Sequence, residues 1–134
     1  MRLLVDTHCW LWYLLAPERL NAQAQEILRE PDNEILFSAA SAWEIVVKFA
    51  LGKLELPLPP SEYIPDRIAT LGHQPLPIRQ DHVIRIEALP LHHRDPFDRI
   101  LVAQAQVESL PLLTADGALT AYDVTVLWAG LGKP

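Results

Sequence analysis

Short apolar segments that alternate with helical segments constrain the fold of this chain more than any other feature. The segments with the length and composition of buried strands are Arg2–Val5, Glu34–Phe37, Pro111–Thr114 and Val124–Leu127. Helical spacing is found in His8–Leu15, Asn21–Arg29, Ser38–Leu51, Ser61–Leu71, Gln80–Leu89 and Ile100–Val107. Strands that are apolar throughout and alternate with helices indicate a parallel sheet with right-handed crossovers. The pattern predicts an α/β fold, with Gln74–Ile78 as a further strand or sheet edge.

The composition limits the classes of protein to be considered. A chain of 134 residues is long enough for one domain with a sizeable core, and we expect this domain to span residues 1–134. No apolar run is long enough to span a membrane, and Asp6 interrupts the segment that a signal peptide would keep apolar. We therefore expect a cytoplasmic protein. Cys9 is the only cysteine and lies in an apolar run, so we interpret it as a packed thiol.

The net charge of −6 argues against a broad basic surface for nucleic acid. It does not exclude a nuclease, because acids that hold a metal ion count in the sum and are neutralised by that ion.

The buried helix starts within the segment His92–Ala105, and two acids lie near the start of this helix. Pro96 suits the first helical turn, where it has no N–H to lose, and Asp95 beside it fits as the N-cap. Asp98 lies further into the helix, where capping does not explain a carboxylate. We interpret Asp98 as a metal ligand.

Three other acids have positions that suit the same site. Asp6 follows the first strand and Asp116 follows Pro111–Thr114. Each alone has an ordinary explanation, since Asp6 can cap the next helix and Asp-Gly is a common turn. Glu44 is the only acid of a hydrophobic helix, where a carboxylate is costly unless it pairs with Lys48 or binds a metal.

Parallel strands would bring these acids together, because their carboxyl ends share one edge of the sheet. Converged carboxylates repel each other unless a cation holds them ionised, and hard oxygen ligands favour Mg²⁺ or Mn²⁺. Such a site suits phosphodiester hydrolysis. No glycine-rich phosphate loop, nucleophile elbow or zinc motif indicates another chemistry.

Four segments of the chain closely resemble the PIN-domain ribonucleases, and among them the VapC-type toxins of type II toxin–antitoxin systems. They are LLVDTHCWLW, SAASAWEIVVK, HHRDPFDRILVAQA and LLTAD, in the order of the family. The resemblance implies a three-layer α/β/α PIN-like fold with a central parallel sheet, an endoribonuclease that depends on Mg²⁺ or Mn²⁺, and a cognate VapB-type antitoxin. It implies that the catalytic, metal-binding acids are Asp6, Glu44, Asp98 and Asp116. From their positions we assign accessory roles to three further residues: Asp95 as a cap or a group behind the ligands, and Thr7 and Thr114, which neighbour the acids, as partners of a metal-bound water.

Two alternatives remain open beside the toxin. One is a housekeeping PIN nuclease in RNA processing. A neighbouring reading frame for an antitoxin would indicate a toxin instead. The other is a non-catalytic metal-binding or phosphatase-like α/β domain. A phosphatase of that kind would need Asp-x-Asp after the first strand, whereas this chain has Asp6-Thr7-His8, and a degenerate binding domain would be expected to lack one of the acids.

Contacts to RNA and to protein partners are predicted from charge and from aromatic content. Arg94 and Arg99 flank the acids and are the first candidates for the RNA backbone; the others are Lys48, Lys53, Arg79, His92 and His93. The helix His8–Leu15 is apolar nearly all round and should therefore expose aromatic side chains. We expect a homodimer, and an antitoxin over this helix that contacts Trp10, Trp12 or Tyr13.

Overall fold

The computed structural model covers residues 1–134, along which five strands are interspersed with six α-helices. The strands are β1 (Arg2–Val5), β2 (Glu34–Ser38), β3 (Gln74–Leu76), β4 (Leu112–Thr114) and β5 (Val126–Trp128). The helices are α1 (Thr7–Leu15), α2 (Ala22–Arg29), α3 (Ala39–Ala50), α4 (Pro60–Leu71), α5 (Gln80–Arg85) and α6 (Pro96–Glu108). Short 3₁₀ turns follow α1, α5 and β4. Every element predicted from the sequence is present, with shifted ends.

The start of β5 is shifted along the chain, since this strand begins at Val126 rather than at Val124. The amide of Val124 donates to the carbonyl of Tyr122, so the chain is still turning at this point. The predicted helix Gln80–Leu89 is also divided, because its second half is a 3₁₀ turn at Ile86–Ala88.

The five strands form one sheet in the order β3-β2-β1-β4-β5, and every neighbouring pair is parallel. The two central pairings align Leu4 with Leu36 of β2 and with Leu112 of β4. The prediction of a parallel sheet is confirmed. Because all strands point the same way, the residues that follow β1 and β4 lie next to each other at the carboxyl edge.

Helices cover both faces of the sheet, as the three-layer prediction requires. Leu3 and Val5 point to the face covered by α1, α2 and α4, whereas Leu4 points to the face covered by α6. Residues 100–103 of α6 are all buried, which explains why this helix reads as apolar nearly all round. No helix is both long and apolar enough to cross a membrane.

The first helix packs differently from the expectation for Trp10. Trp10 is completely buried, packs on Phe37 with ring centroids 4.3 Å apart, and donates from Nε1 to Nδ1 of His73 at 3.1 Å. The prediction of Trp10 as a possible interface residue was therefore wrong, because its indole is part of the core. Trp12 and Tyr13 are half-buried. Cys9 is buried, and this burial raises the pKa of its thiol, as a packed and unreactive cysteine should show.

Candidate metal centre

The candidate site lies at the carboxyl edge of the sheet and takes its acids from two strands and two helices. Asp6 follows β1 and Asp116 follows β4, the strand that pairs with β1. Glu44 projects from α3, and Asp98 lies in the first turn of α6, which packs against α3. The four acids predicted from the sequence are therefore brought to one place.

Asp6 and Glu44 are the most deeply buried acids of the cluster, with 2% and 1% of their surface exposed. Oδ2 of Asp6 accepts a hydrogen bond from the Thr114 hydroxyl at 2.8 Å, and Oε2 of Glu44 accepts one from Nζ of Lys48. The other oxygen of each carboxylate, Asp6 Oδ1 and Glu44 Oε1, is buried without any partner. Buried carboxylate oxygens without a hydrogen bond are costly, so a ligand is expected at this point.

The acids raise each other's proton affinity. Burial raises the pKa of Asp98 to about 8, and the negative charges of four neighbouring acids add to this rise: Asp6, Asp95, Glu44 and Asp116. Burial also raises the pKa of Asp6, although the hydrogen bond from Thr114 opposes the effect. Without a cation, Asp98 therefore favours its protonated form at neutral pH.

His93 bridges two of these acids, a role that the sequence did not indicate. Its Nε2 lies 3.2 Å from Oδ2 of Asp98 and 3.1 Å from Oδ2 of Asp116. Its Nδ1 accepts a hydrogen bond from the amide of Asp95 at 3.0 Å, so in the neutral ring the proton is on Nε2. In this position the Nε2–H donates to the acids, and Nε2 has no lone pair left for a metal ion.

The accessory residues have separate roles. Asp95 is the N-cap of α6, because its Oδ1 accepts from the amides of Phe97 at 2.8 Å and Asp98 at 3.4 Å. Thr114 orients Asp6, as described above. The Thr7 hydroxyl donates to the hydroxyl of Ser41 at 2.7 Å and so ties α1 to α3. Contact of Thr7 with a metal-bound water remains a prediction.

The basic residues proposed for RNA differ in their partners and in their distance from the site. Lys48 pairs with Glu44, so the helical ion pair considered from the sequence is present inside the site. Arg99 donates to the carbonyls of Pro90 and His93, at 2.9 and 3.4 Å, and thereby holds the loop before α6. Arg94 is exposed beside it. Arg79 lies elsewhere and is paired with two acids, Asp81 and Glu108.

The donor set fits a hard divalent cation. All four groups supply carboxylate oxygens, two of these oxygens are buried and unpartnered, and Lys48 is the only fixed cation paired with any of them. Oxygen ligands of this kind suit Mg²⁺ and Mn²⁺ better than soft metals.

Comparison with known proteins gives the family and the fold of the chain. A family model for the PIN domain matches residues 3–124. The chain is similar to Ribonuclease VapC16 of Mycobacterium tuberculosis, with 43% identity over 68 residues that make up 51% of this chain and 48% of that protein. The match thus spans about half the length of this relative.

Solved structures share the fold across nearly the whole chain. The structure of VapBC2 from Rickettsia felis, bound to a DNA fragment from its promoter, superposes with a TM-score of 0.71 at 11% identity, covering 95% of this chain and 98% of that one. A toxin–antitoxin complex from Klebsiella pneumoniae gives a TM-score of 0.61 at 22% identity, covering 93% and 95%. At these identities the likeness concerns the fold.

Proposed function

Because the chain belongs to the PIN domain family, we propose that it is a metal-dependent endoribonuclease and the toxin of a VapBC-type toxin–antitoxin system. The relative named Ribonuclease VapC16 supports the activity, and the structural neighbours that are toxin–antitoxin complexes support the biological role. The observation that carries the proposal is the pair of buried, unpartnered oxygens, Asp6 Oδ1 and Glu44 Oε1, within a cluster of four acids.

In this proposal Asp6, Glu44, Asp98 and Asp116 hold Mg²⁺ or Mn²⁺. The bound ion would supply positive charge to a phosphate oxygen and a water of lowered pKa. Thr114 keeps Oδ2 of Asp6 occupied and so leaves Oδ1 available as a ligand. Lys48 offsets the charge of Glu44 from the other side.

The RNA backbone would be held by exposed cations around the acids. Arg94 is exposed on the loop before α6 and is the first candidate for a phosphate contact. Lys48 is the second, because its amine is already beside the acids. Arg99 donates to loop carbonyls, so we assign it to positioning of this loop rather than to RNA.

The test is cleavage of RNA by the purified protein with Mg²⁺ or Mn²⁺ and with a chelator. Asp98→Asn should reduce cleavage by orders of magnitude, because it removes a charged ligand from the ion. Asp95→Asn keeps a capping oxygen and should retain folding and part of the activity. Asp66→Asn changes an exposed acid on α4 and serves as the control. Cleavage by Asp98→Asn at the wild-type rate would contradict the proposal.

We further propose a homodimer and a VapB-type antitoxin that inhibits it. Trp12 and Tyr13 on α1 are half-buried, so each still offers part of an aromatic ring to a partner. An arginine of the antitoxin could pair with the uncompensated carboxylates and exclude metal or RNA.

A further inference from the structure

A cavity of about 330 Å³ opens beside the acid cluster, between α1, α3 and the segment that follows α3. Glu44 belongs to both, because it lines the cavity and is one of the clustered acids. Thr7, next to Asp6, also lines the cavity. A group bound in this cavity would therefore lie next to the candidate metal centre. The volume is at the lower end of the range of sites for small ligands, roughly 300–1,000 Å³.

The charge around this cavity is opposite to that of the whole protein. Two lysines, Lys48 and Lys53, line it against one acid, Glu44, although the chain has a net charge of −6. Lys53 is exposed and forms no ion pair, unlike Arg2, Arg67 and Arg79, whose guanidinium groups all pair with carboxylates. An unpaired lysine next to an acid cluster is suited to an anionic ligand that extends from the metal centre.

The rest of the cavity is apolar and includes one aromatic ring. Its apolar lining residues include Trp12, Leu15 and Leu54. His8 lies near Trp12, with ring centroids 6.1 Å apart. Arg19 lies over the indole at 5.5 Å from its ring centroid, but outside this cavity. An aromatic wall next to cations is the arrangement by which proteins bind single-stranded nucleic acid, since the base stacks and the phosphate is neutralised.

We propose that this cavity is a nucleotide subsite of the ribonuclease, in which one base of the RNA packs against Trp12 while Lys53 contacts its phosphate. The inference rests on the proposed function and specifies how that site holds its substrate. A single unpaired nucleotide meets the requirements of the cavity, namely a flat aromatic ring that can stack, a negative charge and small size. Lys48 would contact the next phosphate once Glu44 binds a metal ion and no longer pairs with Lys48.

The experiment measures the binding of a fluorescein-labelled single-stranded RNA by anisotropy, with Mg²⁺ present and in the Asp98→Asn background. Trp12→Ala and Lys53→Ala should each weaken binding roughly tenfold, the change expected for the loss of one stacked base or one phosphate contact. Trp12→Phe keeps an aromatic face and should restore most of the affinity. Tyr13→Ala and Lys133→Ala are matched controls outside the cavity and should change the affinity less than twofold.

Several results would overturn the proposal. If Trp12→Ala and Lys53→Ala bind RNA as tightly as their parent, with unfolding transitions unchanged, the cavity is not a nucleotide site. If the two variants lose affinity for a protein partner but not for RNA, the cavity is a protein-binding site. Wild-type protein that binds RNA through Trp12 and Lys53 but never cleaves it would refute the proposed activity and leave the subsite standing.

Discussion

At the residue scale, both ring nitrogens of His93 are held by neighbouring groups. Its Nδ1 is fixed by the amide of Asp95, and its Nε2–H lies between the side chains of Asp98 and Asp116. A cation that bridges these two acids would need the space and the oxygen lone pairs that the Nε2–H now uses. The ring and the ion therefore compete, unless the imidazole breaks its bond to the backbone and changes tautomer.

Replacement of His93 tests this competition. His93→Ala should bind Mn²⁺ roughly tenfold more tightly than wild type, because the ion no longer has to displace the Nε2–H from the two acids. His92→Ala is the matched control, since His92 packs edge-on against Tyr122 and makes no contact with the acids. Isothermal titration calorimetry on the chelator-treated proteins gives the two affinities. Weaker binding by His93→Ala would mean that His93 is a metal ligand instead.

At the scale of elements, α1 is fixed to the sheet by a polar contact inside the core. The indole N–H of Trp10 donates to Nδ1 of His73, which precedes β3, and both residues are buried. Burial lowers the pKa of His73 below its usual 6.5, because the charged ring would lose its solvation. Protonation of Nδ1 would also remove the acceptor of the Trp10 hydrogen bond. The contact thus depends on a neutral histidine.

This contact makes stability depend on pH. Above pH 6.5 His73 is neutral in both the folded and the unfolded state, so it does not change the free energy of unfolding. As the pH falls through 6.5, the unfolded chain binds a proton that the folded chain does not bind, and the folded state loses stability. His73→Gln keeps an acceptor but does not titrate. Between pH 8 and 5.5 its free energy of unfolding should therefore fall by on the order of 1 kcal/mol less than that of the wild type. Urea unfolding at both pH values measures the difference, with the exposed His92→Gln as control. An equal loss in both proteins would exclude His73 as the cause.

The surface of the whole molecule retains apolar side chains that a monomer would leave in water. Trp43, Val46 and Leu51 on and after α3 are 58%, 49% and 63% exposed. Together with the half-buried Trp12 and Tyr13, they form apolar surface on the two helices that border the acid cluster. Surface of this kind is typical of a protein that associates.

We therefore predict a homodimer, and an inactive complex with a small antitoxin encoded next to this chain. Light scattering should give twice the mass of the chain, and hydrogen exchange should show added protection in α1 and along the acid-lined edge when the antitoxin is present. Protection of α2, which lies away from the acids, should not change. A monodisperse monomer whose α1 gains no protection would contradict the prediction.

The amino-acid sequence by itself determined the features that depend on neighbours along the chain. Continuous apolar runs identified the strands, and their alternation with helices predicted the parallel sheet that the structure contains. The position of Asp95 before Pro96 indicated the N-cap of α6, which is present. The places of Asp6 and Asp116 after strands were also sufficient to put them at one edge, because parallel strands share their carboxyl ends.

Only the tertiary structure decided which side chains face each other across the chain. Trp10 and Trp12 are equivalent by composition, and packing against Phe37 put Trp10 in the core. His93 reaches Asp116, 23 residues away, and Thr114 reaches Asp6, 108 residues away. Such contacts depend on how the loop before α6 and the strand ends are positioned in space. Helical or strand periodicity describes only neighbours within a turn or a strand, so it contains no information about them.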